Sequence, residues 1–247
     1  MRATGPTVRD AVHPATHRPA PHPVPVAEWA STADVVTTTF PSPHAMTSEF
    51  LTYLRLGLGH IADLKGYDHI LFVVALTAGY APRDWKRLLW LVTAFTVGHS
   101  VTLVLATLDV VRVHGPTIEL LIPVTIVVTA AYSMLGRRRA AAANAADPPE
   151  RHALLYILAG TFGLIHGLGF SNILRAVLGG EESILLPLFA FNVGLEVGQL
   201  AIVACVLVAG ALACDLAGLS RRRWATALSL LIALAGLRMV VERFPSS

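Results

Sequence analysis

Residues Gly57–Phe72 read G-L-G-H-I-A-D-L-K-G-Y-D-H-I-L-F, and they set His60, Asp68 and His69 against an apolar run. An ionisable side chain at bilayer depth costs about 2.5–3.5 kcal/mol on insertion scales, so it is retained where it meets a partner or a wet cavity. Three later apolar stretches repeat the pattern. They are F-T-V-G-H-S around His99, F-G-L-I-H-G-L-G-F around His166 and F-N-V-G-L-E-V-G-Q around Glu196. The four stretches are expected to converge on one site.

The surrounding chain explains why those stretches are read as membrane-embedded. Of 247 residues, 54% are hydrophobic and only 14% charged, against about 25% charged in soluble domains. The net charge of +3 comes from short Lys and Arg clusters between apolar runs, which is a topology signal and not a nucleic-acid footprint. Cys205 and Cys214 fit neither a metal knuckle nor a redox pair and are read as packing residues.

Apolar length predicts an all-α, polytopic membrane bundle of six spans: Tyr67–Ala81, Leu88–Val111, Ile118–Leu135, Leu154–Leu178, Ile184–Ala213 and Trp224–Val241. Glu49–Leu64 has a helical apolar face but carries Arg55, His60 and Asp63, and is read as an interfacial or re-entrant helix. Residues 1–47 are rich in Pro and His and are read as a disordered tail ahead of a single transmembrane domain, 48–247. Met46 reads as an alternative start. Residues 137–149, with their Ala run and Asp147-Pro148-Pro149, are read as a flexible loop.

Arg83, Lys86 and Arg87, then Arg137–Arg139 with Arg151, then Arg221–Arg223 fall on alternate connections, which predicts cytoplasmic loops there in a bacterial-type inner membrane. The opposite connections hold Arg112 and His114, and Glu181 and Glu182.

Helical spacing groups the polar residues. Asn192, Glu196 and Gln199 share a face, as do Phe95, His99 and Thr102, with Thr96 and Ser100 as a neighbouring stripe. Gly163 and Gly167, like Gly194 and Gly198, have the small-xxx-small spacing of close helix approach. Neutral imidazoles with one or two carboxylates suit nickel, zinc or cobalt better than calcium or magnesium. The expected ligands are Asp68, His69, His99, His166 and Glu196. Asn192 and Gln199 would orient them, and His60, Glu119 and Ser100 stand in reserve as ligands or supports. Tyr67, Phe72, Phe95, Phe162, Phe170 and Phe191 are read as wall or core.

The blocks G-Y-D-H-I-L-F, T-A-F-T-V-G-H-S-V-T-L, F-G-L-I-H-G-L-G-F and F-N-V-G-L-E-V-G-Q resemble the signature blocks of the HupE/UreJ family, from about Ser48 onward. That resemblance implies a small nickel permease associated with hydrogenase and urease maturation. It also places His60, Asp68, His69, His166 and Gly167 on the family's pattern. The gap between His60 and Asp68 is longer than in that pattern, and Ile165 precedes His166 where a Phe is usual, so His60 is ranked last among the four histidines.

The expected function is passage of a divalent transition metal through the bundle, facilitated or coupled to an ion gradient, since no P-loop pattern occurs. The expected partners are the metal ion and the bilayer, with a second copy of the chain and metallocentre-maturation proteins as further candidates. The rival readings are a zinc-dependent intramembrane hydrolase, using Asp68 or Glu196 as base with help from Ser100, and a non-transporting maturation accessory.

Overall fold

Long continuous apolar runs with no water to satisfy their backbone favour helices, whose hydrogen bonds all close within the segment, and the computed structural model is helical throughout its described elements. It describes residues 43–64, 66–142, 149–178 and 183–244. The tail 1–42, residues 143–148 and Glu181–Glu182 lie outside the described residues.

There are seven described α-helices: α1 Pro43–Ile61, α2 Asp68–Thr77, α3 Trp85–Thr107, α4 Gly115–Ala142, α5 Pro149–Leu178, α6 Leu185–Asp215 and α7 Arg221–Arg243. A 3-10 turn, Pro82–Asp84, leads into α3. Helix α1 begins upstream of Met46, so the expected boundary at residue 48 falls inside a helix. Helix α4 extends to Ala142, which makes the first part of the expected 137–149 loop helical.

Five helices, α3 to α7, are long and apolar enough to cross a membrane. Large side chains such as Trp90, Ile157, Phe189 and Leu231 are exposed on them, as a lipid-facing surface requires. Cys205 is also exposed and Cys214 half-buried, both free, so Cys205 is not the packing residue expected of it.

The predicted first span differs from the structure. Helix α2 has only 10 residues, about 15 Å of rise and half a bilayer core. It continues a path begun by α1. Phe50 of α1 meets Phe189 in the first turn of α6, and Ile61 meets Gly198 midway along α6. Beyond the break at residues 62–67, α2 leads to Tyr80, whose carbonyl accepts from Arg221 at the start of α7. Thus α1 and α2 follow α6 as two halves of one interrupted traverse, and the interruption brings His60, Asp68 and His69 together inside the bundle.

Two parallel helix pairs build the bundle's centre. Helix α3 crosses α5 so closely that a Cβ on Gly98 would stand 2.1 Å from the Gly160 carbonyl oxygen and 3.1 Å from Leu164 N. Helix α6 crosses α1 in the same way, with a Cβ on Gly194 reaching 2.1 Å from the Leu54 carbonyl oxygen and 3.0 Å from Leu58 N. The contacts are returned by Gly163, 2.2 Å from the Phe95 carbonyl oxygen, and by Gly57, 2.1 Å from that of Phe191. Only glycine fits such crossings. The matched segments are F-T-V-G, Phe95–Gly98, and F-N-V-G, Phe191–Gly194. Three residues past the returning glycines stand His60 and His166.

The pairs join along a polar seam. Thr93 Oγ1 donates to Glu196 Oε1 at 2.6 Å, Thr96 Oγ1 to Gln199 Oε1 at 2.8 Å, and Ser100 Oγ to Asn192 Oδ1 at 2.6 Å. From Thr93 with Glu196 to Ser100 with Asn192 the numbering rises on α3 and falls on α6, so the two pairs are inverted relative to each other. Helices α4 and α7 pack antiparallel beside them, with Gly236 against Ile126 and Val127.

Candidate metal centre

The broken traverse supplies two histidines and the α3/α5 pair two more. His60, at the end of α1, His69, in the first turn of α2, and His99, on α3, each offer a ring nitrogen, and these nitrogens lie within 4.8 Å of one another. His166 of α5 stands next to them, its ring centroid 4.9 Å from that of His69. His99 and His166 are fully buried and His69 nearly so.

Hydrogen bonding fixes which nitrogens face the centre. Asp68 Oδ1 accepts from its neighbour's backbone N–H at 2.8 Å and from His69 Nδ1 at 2.9 Å, which leaves His69 Nε2 with a free lone pair. The hydroxyl of Thr125 donates to the Ile122 carbonyl at 2.7 Å, so its contact with His166 Nε2 at 3.0 Å has the imidazole N–H as donor. His166 Nδ1 is then the free acceptor. A ligand histidine held through its other nitrogen by a carboxylate or hydroxyl is the common arrangement at metal sites.

Buried polar atoms are almost always paired, so unpaired ones call for a reason. Here His60 Nε2, His69 Nε2, both nitrogens of His99 and His166 Nδ1 are buried without a protein partner. Nitrogens of one chemical type, gathered in one place and otherwise unsatisfied, suit a borderline transition cation, whose Zn–N-type bonds run about 2.0–2.1 Å. Aromatic rings wall them in. Phe170 lies 3.9 Å from His60, centroid to centroid, Phe72 5.1 Å and Phe95 5.2 Å from His166, and Phe191 stacks over His99 at 6.5 Å.

A vestibule of about 280 Å³ opens onto the site, lined by His60, Asp63, Asp68, His69, Glu119 and His166, with Arg243 at its rim. His99 lies below it. Under His99 the buried Phe72, Phe95 and Leu91 close the bundle with apolar packing.

The sequence reading is redistributed by this geometry. His69 and His99 are in the trio and His166 is beside it. His60, ranked last, is a full member, because α1 ends against α6 and turns its last histidine toward His69. Asp68 commits its Oδ1 to orienting His69, and only its Oδ2 is left over, 3.8 Å from Arg243. Glu196 stands outside the trio and accepts from Thr93 on the seam. Asn192 and Gln199 bond to Ser100 and Thr96, so they orient α3 against α6 and not the histidines. Ser100 belongs to the same seam, while Glu119 lines the vestibule. Thr125 is the residue sequence reasoning missed. Its signal was a hydroxyl on the α4 face that carries Ile122 and Thr129, at helical spacing.

No curated protein and no solved structure matches the chain. Residues 37–243 match the family described as HupE / UreJ protein, a span that takes in every described helix. The four histidines, Asp68 and the glycine crossings all fall within that span, and the chain belongs to the HupE/UreJ family.

Proposed function

We propose that the protein is a membrane permease for a divalent transition-metal cation, with nickel the first candidate and zinc and cobalt next. The observation that carries this reading is the cluster of buried, unpartnered imidazole nitrogens on His60, His69, His99 and His166 beneath an open vestibule. A hydrated cation would approach through a mouth rich in carboxylate, where Asp63, Asp68 and Glu119 raise its local concentration. It would exchange water for the Nε2 atoms of His60 and His69, then for His99. The set is short of negative charge, which favours release over tight storage, as a transport site needs.

The interrupted traverse is the second support. Discontinuous helices that bring their ends to a site near the middle of the bilayer, between inverted elements, are a recurring transporter arrangement. The basic residues Arg83, Lys86, Arg87 and Arg221–Arg223 gather at the end remote from the vestibule, so with Arg-rich loops cytoplasmic the vestibule faces outward and uptake is inward.

Nickel uptake into proteoliposomes tests this, with wild type against His69→Ala. Saturable uptake that the substitution abolishes is expected. Stoichiometric zinc surviving purification, with no uptake by wild type, would sink the permease reading in favour of a hydrolase.

A further inference from the structure

The vestibule carries a cation of the chain's own. Among the described residues that line it, Asp63, Asp68 and Glu119 are acidic and Arg243 supplies a guanidinium. Arg243 is the last residue of α7, with a side chain 30% exposed. Its Nη2 stands 3.8 Å from Asp68 Oδ2, the oxygen that His69 leaves open. Its Nη1 donates to the backbone carbonyl of Glu119 at 2.9 Å.

That second contact has a covalent cause. Inside α4 the carbonyl of Glu119 would ordinarily accept from the residue four positions on, which is Pro123, and proline has no N–H to give. The freed carbonyl points toward the vestibule and is taken by Arg243. A guanidinium is thus tethered at the mouth by one bond to backbone and left 3.8 Å from a carboxylate, near enough for attraction and too far for a hydrogen bond.

We propose that Arg243 is a built-in counter-cation of the vestibule. It holds the open oxygen of Asp68 while no metal is bound and gives it up to an arriving divalent cation, and this competition sets which cations enter. The inference rests on the reading of the histidines as a metal site. A divalent transition ion brings two charges and an affinity for imidazole, and so outcompetes one guanidinium. A monovalent alkali ion brings one charge and no preference for nitrogen, and does not. Arg243 has somewhere to go, because at the end of α7 its side chain already borders solvent.

The test is nickel titration by calorimetry on the purified full chain in detergent, for wild type, Arg243→Gln, Arg243→Lys and His69→Ala. Removing a unit charge that opposes a double charge at about 10 Å, in an effective dielectric of about 40, should tighten binding roughly tenfold. Lysine keeps the charge and should stay near wild type, and added salt should shrink the glutamine gain. Nickel binding to Arg243→Gln that is equal to or weaker than wild type overturns the proposal. A second measurement uses unmutated protein: modification of Arg243 by phenylglyoxal, followed by mass spectrometry, should speed up on nickel saturation, and an unchanged rate overturns the proposal even where the glutamine variant does not fold. Wild type that binds no nickel, or binds it equally after His69→Ala, removes the metal reading itself, an outcome independent of residue 243.

Discussion

Replacing Gly98 with alanine puts a methyl group 2.1 Å from the Gly160 carbonyl oxygen, 3.0 Å from its carbonyl carbon and 3.1 Å from Leu164 N. All three are backbone atoms of a continuous helix, so no side chain can rotate away. Relief requires α3 and α5 to part by roughly 1 Å, with a cost of about 1–3 kcal/mol for overpacking. Alanine returns up to about 1 kcal/mol in helix propensity over glycine, leaving a net loss of about 1–2 kcal/mol. The reverse substitution on the facing helix is the control. A Cβ on Gly160 meets only the Ala94 carbonyl oxygen, at the ordinary distance of 3.6 Å, so Gly160→Ala should be neutral or slightly stabilising. The two changes add the same atom to opposite sides of one crossing and should differ in sign. Because His99 follows Gly98 directly, parting the helices also displaces a proposed ligand beyond the tolerance of about 0.5 Å for a working site. Unfolding by denaturing detergent in mixed micelles reads the stability, and nickel titration reads the site. Gly98→Ala that unfolds with wild-type resistance and binds metal fully would refute the reasoning, as would equal damage from Gly160→Ala.

Asp68→Asn keeps the shape beside His69 but loses the carboxylate that fixes its Nδ1–H, and nickel affinity should fall about 10–100-fold, measured by titration. Thr125→Val removes the hydroxyl that holds His166 Nε2–H and leaves that buried nitrogen unpaired, so stability should drop by about 1–3 kcal/mol in the same unfolding assay and nickel affinity should fall with it. Glu196→Gln should leave nickel affinity within about twofold, since the carboxylate bonds to Thr93 and lies outside the trio; loss of binding would show that the seam and the site are one.

Much of the architecture was legible because lipid imposes simple rules. Apolar length marked α3 to α7, and the small-xxx-small pairs Gly163/Gly167 and Gly194/Gly198 do mark close crossings. The first traverse was not legible in the same way. Glu49–Leu64 carries Arg55, His60 and Asp63, and a helix with those charges reads as interfacial or re-entrant when judged alone. In the structure its apolar face lies against α6, where Gly57, Gly194 and Gly198 let the backbones meet. Hydropathy scores a segment against lipid, and α1 is paired with protein.

The site shows the same limit at the level of single residues. On α3, His99 and the Thr96/Ser100 stripe lie on neighbouring faces, and sequence alone does not say which face of α6 either one meets. Pairing the Asn192/Glu196/Gln199 face with His99 would set Glu196 beside it; pairing that face with Thr93, Thr96 and Ser100, as observed, makes a neutral-donor seam and leaves His99 to the histidines of α1, α2 and α5. The residue that gained, His60, had a signal of a different kind. Gly57-Leu58-Gly59-His60 and Gly163-Leu164-Ile165-His166 both set a histidine three places after a glycine, and in both helices that glycine is the crossing point against an F-x-V-G partner. A histidine three residues past a crossing sits about one turn further along the same face. Two inverted crossings therefore deliver two histidines to the space between them, and the distance from His60 to Asp68 along the chain is immaterial to that placement.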